Sequence, residues 1–154
     1  MLFNRIRSGV FIVKNRKLLL FKRPGGYWYF PGGKIENNET AEQCAIRETK
    51  EETGLEVKIV KLIYVNELRR RMHRTLELIY LAKPIGGKFG IGTDPEEAKR
   101  LIDLRFISIK LLSKITFLFP NLIPEFKKDI KNNFKNCPKD LGINRANLKK
   151  LLKK

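Results

Sequence analysis

"RETKEETGL", residues Arg47 to Leu55, gathers Glu48, Glu51 and Glu52 into little more than one helical turn of a strongly basic chain. Just upstream, Thr40 and Gln43 form a Thr-x-x-Gln capping box, and Gly54 stands where a left-handed residue ends a helix, so the spacing predicts a helix over 41–53. At 100° per residue the three acids share an arc of roughly 160° with Ala41, Cys44, Ala45 and Thr49, while Gln43, Arg47 and Lys50 fall outside it. Small residues mark where a helix lies close to its neighbour, so the acids are expected to face the protein. Carboxylates at i, i+3 and i+4 repel by a few tenths of a kcal/mol per pair when exposed, and by more when partly buried. A hard divalent cation relieves that repulsion, because Mg²⁺ and Mn²⁺ collect oxygen ligands. The bland alternative is a surface helix with ordinary Glu/Lys decoration.

Outward from the helix, "GVFIV" and "KLLLFKR" flank "KNR" and read as a β-hairpin. "RPGGYWYFPGGKIE" follows, where Pro24, Gly25, Gly26, Pro31, Gly32 and Gly33 force turns around an aromatic cluster. Beyond the helix, "VKIVKLIYV", "TLELIYLAKPI" and "LRFISIKLL" are β-rich, and 122–134 and 145–152 carry apolar residues at helical spacing. This order predicts one mixed sheet covered by helices, in a single domain over 1–154 with a basic helical C-terminal segment from about 121.

Composition sets the surroundings. The 154 residues include 33 Lys+Arg against 16 Asp+Glu, a net charge of +17, which favours anionic partners or a solvated lysine-rich surface. The excess is greatest towards the C-terminus, with 12 Lys+Arg against 3 Asp+Glu from Lys110 onward. Cys44 and Cys137 are far apart with no metal-ligand spacing around them, so neither a disulfide framework nor structural zinc is expected, and a reducing cytoplasm is the default location. The N-terminal apolar runs are short and broken by charge, which argues against a membrane span or a secretory signal.

Counted along the chain, Gly33, five residues, Glu39, seven residues, Arg47-Glu48, two residues, Glu51-Glu52, one residue and Gly54-Leu55 resemble the signature box of the Nudix hydrolases, G-x5-E-x7-R-E-U-x-E-E-x-G-U with U apolar. The lead-in "PGG" is similar to the family's. Two positions depart from the pattern: Thr49 stands at the first U, and Asn38 replaces a glycine common before the first glutamate. Neither alters a ligand. The wider resemblance runs over about residues 8–115.

The resemblance implies an α/β fold, the Nudix α/β/α sandwich with a mixed β-sheet and a catalytic loop-helix-loop. It implies hydrolysis of a diphosphate bond in a nucleoside diphosphate linked to another moiety, assisted by Mg²⁺ or Mn²⁺. Glu48 and Glu52 are then the first metal ligands, with Glu51 as a further one and a backbone carbonyl from Gly32 or Gly33. Arg47 orients carboxylates, and Glu48 is a candidate base. Glu96 and Glu97, beside Asp94 in "GIGTDPEEAKR", are candidates for a base or ligand outside the box, with Glu67 and Glu77 weaker. Arg23 is a candidate phosphate contact, and Trp28 and Phe30 are candidates for holding a base. His73 has no sequence partner and reads as loop or surface.

The expected partner is a small nucleotide, a nucleoside triphosphate or a compound such as ADP-ribose. An RNA 5′ end gripped by the basic C-terminal segment is the alternative, and a non-catalytic nucleotide-sensing module is disfavoured because all the box carboxylates are present. Dimers are common among relatives, so a homodimer is an expected state.

Overall fold

A computed structural model describes residues 3–69, 73–92 and 94–145. Its strands divide between two sheets rather than one. The first is built on β1 (Phe3–Phe11), β5 (Gly32–Lys34), β6 (Leu55–Arg69), β7 (His73–Gly87) and β9 (Lys139–Arg145), in the order β5-β1-β7-β6-β9. β1 runs parallel to β7 and β9 parallel to β6, while β6 and β7 form a long antiparallel pair interrupted by bulges near Val57, Lys61 and Tyr64. The second sheet centres on β3 (Lys17–Lys22), flanked by β8 (Asp103–Ser108) on one side and by β2 (Val13–Lys14) and β4 (Trp28–Tyr29) on the other. The expected hairpin is the β2–β3 turn, while the preceding apolar run belongs to β1 and the other sheet.

Helix α1 (Ala41–Thr53) packs on β1, β5 and β6, helix α2 (Pro95–Arg100) precedes β8, and helix α3 (Ile123–Lys131) closes the core. Phe11 sits at the centre, edge-on to Phe30, Tyr64 and Phe126 with ring centroids 5.0–5.6 Å apart. Such contacts add roughly 0.5–1.5 kcal/mol per pair beyond area burial. Asp129 of α3 is fully buried, and it accepts hydrogen bonds from Tyr64 Oη (2.8 Å) and from Lys139 Nζ (2.7 Å). The same Lys139 ammonium reaches Glu125 at 2.5 Å.

That cluster anchors β9 and corrects part of the expected helical C-terminal segment: α3 falls within the helix expected over 122–134, but Lys139–Arg145 is a strand on the edge of the first sheet. "KDLGINR" lacks a clean two-residue alternation and contains Gly142, so its conformation comes from pairing with β6 rather than from its own propensity. Residues 146–152 of the second expected helix lie outside the described residues. No helix among the described residues is long and apolar enough to cross a membrane.

Candidate active site

The predicted helix is present with its predicted ends. Thr40 Oγ1 accepts from the Gln43 amide (3.2 Å), Gln43 Oε1 accepts from the Thr40 amide (2.8 Å), and Gly54 takes φ = 72°. Reciprocal capping of this kind fixes the start of the helix and therefore the facing of every residue after it.

The two glycines before the helix are required by close approach. A Cβ on Gly32 would lie 2.5 Å from the Ser8 carbonyl oxygen, and one on Gly33 would lie 2.2 Å from Glu48 Oε1. The Glu48 carboxylate therefore rests directly on the glycine turn. From one turn further along the helix, Glu52 Oε2 accepts the Gly32 amide at 3.0 Å, in a side chain only 1% exposed. Burial, then the neighbouring Glu48 charge, pushes the Glu52 carboxyl well above its usual range.

Arg47 holds the rest of the acidic face. Its Nε and Nη2 form a fork on the Glu39 carboxylate (2.9 and 2.7 Å), and its Nη1 bridges Glu48 Oε1 (2.9 Å) and Glu51 Oε2 (3.1 Å). The hydrogen-bonded guanidinium lowers the Glu39 pKa to about 2. Cys44, beneath the turn, has its thiol pushed up to about 12 by burial and by the charge of Glu39, which favours the protonated form.

Glu48, Glu52, Gly32 and Gly33 line a cavity of about 400 Å³ whose other walls carry Arg5, Arg7, Arg23, Lys34 and Arg100, with Tyr27 and Tyr29. Arg7 is held in place by three groups: it donates to Glu77 Oε1 (3.2 Å) and to the Gly32 carbonyl (3.0 Å), and its guanidinium lies over the Tyr29 ring, 5.4 Å from the centroid. Glu77, 2% exposed, also accepts from Tyr29 Oη (2.5 Å) and Asn66 Nδ2 (3.2 Å). It is thus committed to orienting Arg7 and Tyr29.

Of the residues singled out from sequence, Arg23, Gly32, Gly33, Glu48 and Glu52 come together in this cavity. Glu51 is outside it, turned to Arg47. Trp28 and Phe30 lie in the core outside the cavity lining, whereas Tyr27 and the equally buried Tyr29 border the cavity. Glu96 is exposed on α2 and paired with Lys99 at 2.9 Å, away from the cavity; the Glu97 side chain lies outside the described residues. Glu67 pairs with Arg74, and His73 begins β7 outside the cavity lining. Sequence reasoning missed Arg5, Arg7, Lys34 and Arg100, and within the aromatic stretch 27–30 it favoured Trp28 and Phe30 where the cavity takes Tyr27 and Tyr29. The available signal was the two-residue period of a strand, which puts Arg5 and Arg7 on one face.

Among the described residues no three His, Cys, Asp or Glu side chains converge as a metal cluster. The donor set does fit a hard divalent cation, however, with two carboxylates, one of them buried beside the other's charge, and glycine carbonyls in the adjoining turn.

The fold agrees with the comparisons to known proteins. The family model "NUDIX domain" matches residues 3–126. An ADP-ribose pyrophosphatase of Methanocaldococcus jannaschii is 32% identical over 123 residues, which are 76% of this chain and 69% of that protein. An RNA pyrophosphohydrolase of Haemophilus influenzae is 44% identical over 79 residues, 48% of this chain and 40% of its own length. Among solved structures, a NUDIX hydrolase from Nitrosomonas europaea superposes with a TM-score of 0.70 at 26% identity, covering 92% of this chain and 79% of that one.

Proposed function

The chain belongs to the Nudix hydrolase family, and from that premise we propose that it hydrolyses the diphosphate bond of a nucleoside diphosphate linked to a second group. The observation that carries this reading is the meeting, in one cavity, of the Glu48–Glu52 carboxylates with the cations Arg5, Arg7, Arg23, Lys34 and Arg100. The cations suit the oxygens of a bridged diphosphate, and the carboxylates, which alone would repel it, suit one bound through a metal ion.

Glu48 and Glu52, with a carbonyl of the Gly32–Gly33 turn, would hold Mg²⁺ or Mn²⁺, which when bound supplies Lewis-acid stabilisation of phosphoryl charge and a more acidic water. The chain's own residues do the rest. Arg7, braced by Glu77, presents a fixed guanidinium to a phosphate, and Arg23 and Arg100 flank it. Arg47 holds Glu48 in place as the Glu48 carboxylate accepts a proton from the attacking water, and Glu51 shares the same Arg47 Nη1. Water adds to a phosphorus and the bridging P–O bond breaks, giving two phosphate monoesters from ADP-ribose and a monophosphate with inorganic pyrophosphate from a triphosphate. Tyr27 offers the cavity an aromatic face for the nucleoside.

ADP-ribose is the first trial substrate, because the relative with that activity matches over 76% of this chain. An RNA 5′ end is the second reading, favoured by the likeness to the RNA pyrophosphohydrolase and the charge of +17. The test is hydrolysis of ADP-ribose, nucleoside triphosphates and 5′-triphosphorylated RNA in ¹⁸O-labelled water with and without Mg²⁺. Divalent-dependent label on phosphate oxygen of AMP or ribose 5-phosphate is the expected result. Release of free ribose, or no divalent-dependent cleavage in any of the three classes, would overturn the reading.

A further inference from the structure

A second cavity lies at the far end of the same strands. Leu68 of β6 and Thr75 of β7 border the catalytic cavity, whereas Lys61 of β6 and Leu81 and Lys83 of β7 border a groove of about 700 Å³. Six to eight residues of β7 separate them, roughly 20–26 Å along the strand.

Three observations about this groove coincide. The first is charge: Arg16, Lys61, Lys83 and Lys131 line it, no Asp or Glu does, and among the described residues no carboxylate pairs with any of these four cations. Like charges gathered in a concave wall repel one another until an anion joins them, and they raise its local concentration.

The second is backbone conformation. Among the described residues the non-glycine positions with positive φ are Asn15 (50°), Arg16 (56°), Asn133 (56°) and Phe134 (57°), and all four line this groove. Asn15–Arg16 is the two-residue turn between β2 and β3, where glycine is the usual second residue, yet an arginine stands there. A bulky phenylalanine is equally unusual in the left-handed region. Sparsely populated backbone of this kind gathers at ligand clamps.

The third is fixation. Lys61 Nζ donates to the Phe134 carbonyl at 2.6 Å, and the Phe134 amide donates to the Asp129 carbonyl at 2.8 Å, so the 133–134 turn is tied to both β6 and α3.

We propose that this groove is a second binding site for a nucleoside phosphate, its phosphate held by Arg16, Lys83 and Lys131 and its apolar part lying over Leu81 and Ile130. The volume is that of an organic ligand rather than of a bare inorganic ion, and the floor is apolar. The same chemistry has two sources: a free mononucleotide, or one nucleotide within a nucleic-acid strand. The site stands apart from the catalytic cavity and does not depend on what that cavity hydrolyses.

Isothermal titration of the full chain in chelator, with AMP and with a short oligouridylate bearing hydroxyl ends, tests this. The variant Arg16→Gly/Lys83→Ala/Lys131→Ala removes the cations and leaves a residue suited to the hairpin turn. Its AMP stoichiometry should fall by one site, with kcat/KM for divalent-dependent hydrolysis within about twofold of the parent. A control with the same loss of charge elsewhere, Lys88→Ala/Lys110→Ala/Lys114→Ala, should keep the site. Unchanged stoichiometry in the first variant, an equal loss in the control, or no AMP binding by the native chain would each overturn the proposal. Should the triple variant fail to fold, Lys83→Glu alone, at an exposed strand position, should weaken AMP binding by about tenfold, and unchanged affinity there would overturn it as well. An oligouridylate that binds more tightly than AMP, with steep salt dependence, identifies the strand as the source; equal or weaker binding identifies the free nucleotide.

Discussion

Two carboxylates are buried to the same degree in this molecule and are treated in opposite ways. Asp129, at 0% exposure, receives Tyr64 Oη and the Lys139 ammonium. Glu52, at 1%, receives one backbone amide and faces the carboxylate of Glu48. A buried charge with its counter-ion and hydrogen bonds is a structural joint, here between α3, β6 and β9. One left beside a like charge is a cost that persists only where something else is meant to arrive. Burial alone does not separate the two, whereas compensation does.

Glu52→Gln should have the largest effect. It keeps the shape and removes the charge, so divalent-dependent turnover should fall by at least about a hundredfold. Because the Glu52 carboxyl is raised in the folded state, the folded protein retains a proton that the unfolded chain loses, and stability declines as pH rises from the ordinary carboxylate range towards that higher value. The glutamine variant lacks this decline, so in chelator at neutral pH its melting temperature should equal or exceed the parent's. Near-normal turnover would remove Glu52 from the site.

Asp129→Ala should do the reverse. It strips Tyr64 and Lys139 of their shared acceptor and should cost about 3 kcal/mol of unfolding free energy in urea titrations. Turnover per folded molecule should stay at the parent's value. Loss of turnover at unchanged stability would show that the two carboxylates had been assigned the wrong way round.

Arg47→Lys probes the boundary between joint and site. A lysine keeps the charge but cannot fork onto Glu39 while bridging Glu48 and Glu51, so kcat should drop by about tenfold. In the parent, Glu39 titrates near 2 when folded, and its contribution to stability is present above the ordinary carboxylate range and lost as pH falls towards 2. In the lysine variant that acid-side loss should shrink, which melting curves between neutral pH and the acid limb would reveal.

Glu77→Gln is the mildest test. It preserves the acceptor for Tyr29 but weakens the hold on Arg7, so KM for the diphosphate substrate should rise a few-fold with kcat nearly unchanged. A matching fall in kcat would mean that Glu77 acts in the chemical step itself.

The helix over 41–53, its caps, the facing of Glu48 and Glu52, and the glycine turn beneath them could all be read from the chain's local pattern. All are local: a 3.6-residue period and a capping box fix relative directions within a dozen residues, whatever the rest of the chain does. Thr49, at a departure from the family's pattern, satisfies itself by donating to the Ala45 carbonyl one turn earlier, which is again a local answer. Long-range packing divided the strands between two sheets and made Lys139–Arg145 one of them. It alone brought Arg5 and Arg7 from the first strand opposite the helix acids, chose Tyr27 and Tyr29 over Trp28 and Phe30, and set the Arg16 turn beside the Phe134 turn. These depend on pairings across tens of residues, where register and sheet order choose which face meets which, and no periodicity within a single segment carries that information.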